Sequence, residues 1–436
     1  MDTTWDIIIV GAGLAGLRTG IEVLKKHPHL QCCILEKYDY VGGRVFTFHK
    51  NIPGKGSISW ESGAGRISEH HEKVLGLLAL YDLHTLPIPS KSHYLSSKDG
   101  VAKENYFSAL IPVYLDPLRA LDPSILAQHT LQELLDKTLG SHVAADFYMK
   151  FPYFSEIHSL RADIALEAFH SEMASNKGFF VCKTGLSSLT DAMHDEFIKR
   201  GGKIIQKTTL ERVVHHNGIW LHCRTDDHKL ILYSAPIVVL ALHHAALQQI
   251  DGVRTYNILK YLEMEPLLRL YAIFPVKKGV SWFSNIPHTV TDSPIRYMIP
   301  IDPSRGIVMI SYTDGNDAHY WMKQHHGTWD RVQEHVMHHI RRLFPDIIIP
   351  DPIYFKAHEW RMGCTYWLPG PYHVKEASQQ SLHPMPDTFP GLFMCGESFA
   401  EHQCWMESAL DQADKLLKHP QFIHQLKHLH LKNKSC

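Results

Sequence analysis

Regular patterning begins at Ile7-Ile8-Ile9-Val10, a short run apolar on both faces, as strands buried inside a parallel sheet are. Gly11-Ala12-Gly13-Leu14-Ala15-Gly16 follows, then helical spacing over residues 17–24, so the pattern predicts strand, tight turn and helix. A second apolar stretch, Cys32-Cys33-Ile34-Leu35, ends at Glu36. The region from about 85 to 180 is richer in helical patterns, with helices predicted over 131–139, after Thr130, and over 164–173. Leu186-Ser187-Ser188-Leu189-Thr190 opens a helix that runs to Phe197 and ends at Gly201-Gly202. Strands are predicted at 203–205, 210–214, 219–224 and 231–240, and a second sheet at 267–274 and 307–311. Residues 320–344 contain a long helix stopped by Pro345. Leu392-Phe393-Met394-Cys395 reads as another strand, followed after a turn by a helix to Leu417. The basic tail, 418–436, reads as a short amphipathic helix.

The first of these units has the chemistry of a dinucleotide site. Gly11 turns where a side chain would clash, Gly13 lets backbone approach a pyrophosphate, and Gly16 lets the helix pack close to its strand. The phosphates would meet free N–H groups at the helix start. Glu36, twenty positions after Gly16, stands where an acid holds a ribose hydroxyl pair. This motif alone does not separate FAD from NAD. A second arrangement does: Val41-Gly42-Gly43-Arg44 follows Glu36, and far downstream Gly396-Glu397 precedes Trp405-Met406 at a helix start. Gly42-Gly43 can pass close to a diphosphate, Arg44 adds positive charge, Glu397 can accept a ribityl hydroxyl, and the helix amides near Met406 can stabilise negative charge on a reduced ring. NAD needs no such second site, which favours FAD.

A chain of 436 residues accommodates two domains or one interrupted by another, and the return of strand-helix character at about 185 and at 392 favours the interrupted arrangement. Lys+Arg (44) nearly balances Asp+Glu (45), so nothing in the charge points to nucleic acid. The eight cysteines show no disulfide-framework spacing, and the start lacks a basic secretory leader, which together point to a reducing, cytoplasmic setting. No uninterrupted apolar segment of membrane-spanning length occurs. The 33 histidines are scattered, and their adjacent pairs do not supply convergent metal ligands; no metal is expected.

These segments resemble the flavin-containing amine oxidase superfamily, which includes monoamine, polyamine and L-amino-acid oxidases. Gly11, Gly13, Gly16 and Glu36 match its nucleotide fingerprint, Gly42-Gly43-Arg44 its second motif, Lys183 to Leu189 its mid-chain element, and Phe393 to Leu410 its ring-binding end. The resemblance spans 5–417 but is specific only in these blocks. It implies an α/β fold in which a split Rossmann-type FAD-binding domain (1–85, 183–246, 356–417) is interleaved with an α+β substrate domain (86–182, 247–355), followed by the tail. The implied cofactor contacts are Gly11, Gly13, Leu14, Ala15, Gly16, Glu36, Lys37, Gly42, Gly43, Arg44, Gly63, Ala64, Gly65, Arg66, Val213 through its backbone, Gly396, Glu397, Trp405 and Met406.

On the substrate side, Gly63-Ala64-Gly65-Arg66-Ile67-Ser68-Glu69-His70-His71 resembles the L-amino-acid oxidase stretch whose arginine pairs with the substrate carboxylate, and Trp405-Met406-Glu407-Ser408 is closer to that subgroup than to monoamine oxidases. Guanidinium grips carboxylate through two parallel hydrogen bonds. The same residue type also serves to bind flavin phosphate or cap a helix, so both readings stand. Trp405 is expected as an aromatic wall beside the flavin, with Tyr366 and Trp367 as opposite walls, though aromatics also fill cores. Cys364 matches the cysteine that binds flavin covalently in monoamine oxidases, but Thr365 replaces the tyrosine after it, and noncovalent FAD is expected. Arg269 stands where the family has a lysine that holds a water near the flavin and assists reaction with oxygen. The expected catalytic set is Trp405, Arg269, Arg66 and Tyr366. The expected reaction is oxidation of the carbon–nitrogen bond of an L-amino acid, with oxygen as acceptor and hydrogen peroxide as product. A monoamine or polyamine, an apolar non-amine substrate, and retained FAD with weak catalysis are the alternatives. The resemblance leaves room for a homodimer.

Overall fold

The computed structural model describes residues 3–88, 92–98, 100, 102–173 and 178–434. Its centre is a parallel sheet ordered Lys203–Ile205, Cys32–Leu35, Ile7–Val10, Ile237–Leu240, Leu392–Met394. Alternation along these strands divides their side chains between two layers. Ile7, Ile9, Ile34, Val239 and Phe393 pack under the helices Leu14–Lys26, Ser187–Lys199 and Met406–Leu417, while Ile8, Val10, Leu35, Val238 and Met394 face the core formed with Leu210, Leu221 and Tyr233. Those last three lie on an antiparallel ribbon of Thr208–His215, Ile219–Thr225 and Leu230–Ala235. The tail helix Pro420–Lys434 packs Phe422 and Leu426 into the helical layer.

A second sheet has seven strands, ordered Tyr354–Trp367, Leu262–Ile273, Ile307–Asp314, Tyr297–Asp302, His288–Thr291, Ser92–Leu95, Ala102–Glu104. Leu268, Leu270 and Ala272 bury one face against Trp321, Val336 and Ile340 of two helices; on the other, Tyr271 stacks on Trp60 at 4.7 Å. The molecule is thus a mixed α/β fold with separate parallel and antiparallel sheets.

The observed elements refine the expected ones at three places. The strand expected over 231–240 is two, Leu230–Ala235 and Ile237–Leu240, because Pro236 has no N–H for a ladder and the chain there passes from the ribbon into the parallel sheet. The long helix expected within 320–344 is Trp329–Leu343, preceded by a separate helix Gly315–Gln324: Gly327 takes φ +89° between them, and Thr328 accepts the Asp330 N–H at 3.3 Å to start the second. The boundary placed between 355 and 356 falls inside Tyr354–Trp367, a strand of the seven-stranded sheet. By contrast Leu131–Leu139 follows its pattern, capped by the reciprocal Thr130 and Glu133 bonds. Among the described residues no helix is long and apolar enough to cross a membrane.

The turn after the first strand is set by missing side chains. A Cβ on Gly16 would lie 2.0 Å from the Gly11 carbonyl oxygen, and one on Gly11, itself at φ +103°, would lie 2.5 Å from the Ala241 oxygen. Gly16→Ala is therefore expected to lower stability by about 1–3 kcal/mol or more through backbone displacement. Gly76→Ala should raise it by about 0.5–1 kcal/mol, since Gly76 lies inside the helix Glu72–Leu80 with open space where its Cβ would go. Urea unfolding midpoints test both; a wild-type midpoint for Gly16→Ala would remove that contact from the account.

Candidate active site

A cavity of about 950 Å³ opens where the parallel strands end and the edge of the seven-stranded sheet begins. Val10, Leu35, Ala241 and Gly396 line it from the first side, Leu267, Arg269, Tyr312 and Gly363 from the second. The crevice beyond the carboxyl ends of parallel strands is where open α/β sheets bind ligands.

At one end the lining is polar backbone and fixed charge. Glu36 is buried and accepts from the amides of Ala12 (2.7 Å) and Tyr38 (2.9 Å); burial raises its pKa against the pull of those two bonds. Each carboxylate oxygen keeps a lone pair for a hydroxyl donor. Gly42 donates to the Ala12 oxygen at 2.9 Å, which brings the second glycine pair against the first turn. A Cβ on Gly13 would meet nothing nearer than the Gly42 oxygen at 3.9 Å, so glycine here keeps open space at the helix start. Lys37, Tyr38, Thr208, Thr209 and Leu210 complete this end.

In the middle, Arg44 donates Nη2 to Glu397 Oε2 (2.7 Å) and Nη1 to the Gly363 oxygen (2.8 Å), and Glu397 Oε1 accepts the Cys404 amide (2.8 Å). Cys404 holds φ +71°, a conformation that favours glycine. Leu14, Ala15, Gly43, Gly63, Ala64, Gly65, Trp405 and Met406 also line the cavity.

At the far end Arg66 lies among aromatic faces, its guanidinium carbon 5.0 Å from the Tyr153 ring, 5.1 Å from Phe179 and 5.8 Å from Trp405. Nη1 donates to the Tyr153 hydroxyl, and Arg66 forms no ion pair among the described residues. Trp405 is brought here by Glu407, whose two oxygens accept the Lys73 and Val74 amides (both 2.9 Å) at the start of the helix that follows Arg66 and His71. His71 packs edge-on to Trp405 at 4.7 Å, and burial pushes its pKa down to about 4, leaving the ring neutral. Arg269 donates to the Glu61 oxygen at 3.1 Å, lies 5.5 Å from the Tyr312 ring, and keeps a buried Nε without a partner. Glu61, pushed up to about 7 by burial, accepts the Leu186 amide (2.7 Å) and the Thr47 hydroxyl (3.0 Å), which ties this corner to the Ser187–Lys199 helix.

Several expected residues are not on the lining. Gly16 lies beneath the turn. Val213 gives its N–H to the Asp251 oxygen at 2.9 Å, and a register shift between Leu210 and Arg212 leaves Leu210 on the lining instead. Tyr366 and Trp367 are sealed in the core at 1% and 0% exposure. Tyr366 pairs with Glu263, beyond the bulge between Glu265 and Leu267, and Trp367 donates Nε1 to the Ala400 oxygen at 2.8 Å. Tyr153, Glu156 and Tyr312 line the cavity in their place. They come from stretches with no recognisable motif, so no sequence signal marked them.

The chain matches the family model for flavin-containing amine oxidoreductases over residues 14–415. No curated protein matches it in sequence. Among solved structures it is similar to a putrescine oxidase bound to putrescine (16% identity, TM-score 0.72, covering 96% of this chain and 100% of that one). It is also similar to cyclohexylamine oxidase from Brevibacterium oxydans (16% identity, TM-score 0.71, 98% and 99%). A protoporphyrinogen oxidase candidate from Exiguobacterium gives 15% identity, TM-score 0.71, 97% and 99%. With the family model covering nearly the whole chain and the glycine turn, Glu36 and Arg44 facing one groove, the chain belongs to the flavin-containing amine oxidoreductases, with FAD as cofactor.

Proposed function

We propose that this oxidoreductase oxidises the carbon–nitrogen bond of an L-amino acid. The observation that carries the reading is Arg66, a guanidinium in the cavity with one hydroxyl partner, aromatic faces around it and no carboxylate paired to it among the described residues. A charge with so little compensation is costly unless a ligand supplies the counter-ion, and a carboxylate matches the guanidinium fork. The five-stranded parallel sheet, built from segments far apart in the chain, is read as a split Rossmann-type FAD-binding domain, and the seven-stranded sheet with residues 107–173 as the substrate domain.

The groove residues fit FAD. Open space at Gly13 leaves room for a phosphate at the helix start, Glu36 has acceptor capacity for ribose hydroxyls, and Arg44 with Glu397 stands midway between the two ends. When bound, FAD supplies the acceptor for the hydride that leaves the carbon bearing nitrogen. Arg66 would fix the carboxylate, and the flat faces of Trp405 and Phe179, parallel within 8°, would restrict where the adjacent carbon sits. The unpartnered Nε of Arg269 is a donor for an ordered water or a substrate oxygen near the sheet edge, compatible with oxygen as the acceptor. The oxidised product would hydrolyse to an oxo acid and ammonia.

A second reading is an amine without a carboxylate, favoured by the putrescine and cyclohexylamine oxidases whose folds this chain shares. Arg66→Lys separates the two, because lysine keeps charge and loses the fork. In anaerobic titrations it is expected to slow reduction of bound flavin by an L-amino acid roughly tenfold or more, equivalent to about 1.4 kcal/mol or more, while sparing the matched amine and FAD content. Equal loss for both substrates assigns Arg66 to flavin or fold, and reduction by amines alone overturns the amino-acid reading. Trp405→Phe is expected to keep more of the reduction rate than Trp405→Ala at equal FAD content, because the ring face is retained. Equal rates would remove the aromatic wall.

A further inference from the structure

Arg66 is not the only uncompensated charge in the cavity. Glu156, on the short helix Phe154–His158, lines the same space, forms no ion pair among the described residues, and keeps Oε2 buried with no hydrogen-bond partner. A buried carboxylate oxygen without a donor is costly, as is a buried guanidinium with few acceptors. The two are near one another. Burial pushes Glu156 up to about 7 while the nearby Arg66 charge draws it down, and both act on the hydroxyl of Tyr153, Arg66 by a direct hydrogen bond and Glu156 from three residues along the chain. Yet they do not close into a salt bridge, because Arg66 is held in its aromatic surround while Glu156 is fixed on its own helix.

The neighbouring acid does not take over the role. Asp314 accepts the Phe154 amide at 3.1 Å and is pushed well above the usual carboxylate range by burial and by Glu156, so Glu156, beside the Arg66 charge, is the acid of the pair that ionises more readily. Asp317 is paired with Arg296 at 2.9 Å. Arg66 and Glu156 are thus a cation and an acid on one lining with no ion-pair partner among the described residues, together with Leu160, Ile164, Phe169 and Leu267.

We infer that Glu156 binds the ammonium group of the substrate while Arg66 binds its carboxylate, so that the cavity selects a short zwitterion, an α-amino acid with an apolar side chain. The closeness of both charges to Tyr153 favours an ammonium a few bonds from the carboxylate over one at the end of a long side chain. This inference rests on the carboxylate role proposed for Arg66.

The test uses the FAD-loaded protein and ligands that cannot be oxidised because the reacting carbon carries no hydrogen. α-Methylphenylalanine and α-methylleucine are the zwitterions, and the better binder is compared with its matched amine and its matched carboxylic acid. Calorimetry and the perturbation of the flavin spectrum give dissociation constants. Glu156→Gln and Glu156→Leu are expected to weaken the zwitterion and the amine tenfold or more and to leave the acid unchanged or tighter. Retained acid binding shows that each variant is folded. Arg66→Lys is expected to weaken the zwitterion and the acid and to spare the amine. If the Glu156 variants bind all three ligands as the native protein does, or lose all three equally, the role of Glu156 is overturned while the Arg66 result stands by itself. If Arg66→Lys spares the acid, the carboxylate reading falls, and with it the zwitterion. Failure of the native protein to bind either zwitterion overturns the inference.

Discussion

The contact between the Gly11 carbonyl and the Gly16 α-carbon is the constraint on which the rest of the site depends. It lets the helix Leu14–Lys26 start directly over the end of its strand, so the free amides of its first turn open toward the groove. Any side chain at either position would push helix and strand apart. The Glu36 carboxylate could then no longer reach the Ala12 amide, nor Gly42 the Ala12 oxygen. A local steric rule thereby fixes the spacing of groups that come from three separate turns.

The far half of the cavity is held by polar links between segments rather than by one turn. Arg44 joins the early glycine turn to Glu397 near the last strand, and with Glu397 only slightly exposed, removing either partner would strand a charge and cost about 3–5 kcal/mol. The backbone oxygen of Glu61 receives both Arg269 and the Tyr271 hydroxyl (2.7 Å), tying the stretch before Arg66 to the seven-stranded sheet. Glu407 caps the helix after His71 and so brings Trp405 beside Arg66. These acids are not at the reacting centre. Their work is to keep the two sheets in register around it.

What was legible in the sequence follows from this division. Gly11, Gly13, Gly16, Gly42 and Gly43 could be read because backbone conformation and close approach permit few other residues, and Glu36 because a strand end fixes its distance from the turn. The cavity walls could not. Tyr153 and Glu156 come from a helical region with no fixed spacing to the glycine turn, and Tyr312 from the middle of a strand whose pattern reports only burial. Tyr366 was misplaced for a related reason. It follows Gly363-Cys364-Thr365 on the same strand, but the spacing of an aromatic does not tell a cavity wall from a core filler, and here the ring is 1% exposed within the core. The split of the expected 231–240 strand at Pro236 was legible in principle, since proline there withholds a ladder donor, and it marks where the chain changes sheets.

The order of the parallel sheet has a consequence for how the molecule forms. Its central strand, Ile7–Val10, is flanked by Cys32–Leu35 and by Ile237–Leu240, and the edge strand beside the latter, Leu392–Met394, lies nearly the whole chain away. The groove is walled by residues from both extremes, Gly11 and Gly396 among them. Closing it requires contacts of very high sequence separation, whose loop-closure entropy must be met before burial rewards them. During synthesis the first strand, turn and helix would emerge with their apolar faces uncovered and wait for partners made far later. The binding groove is accordingly a late product of folding, completed only when the two ends of the pattern meet.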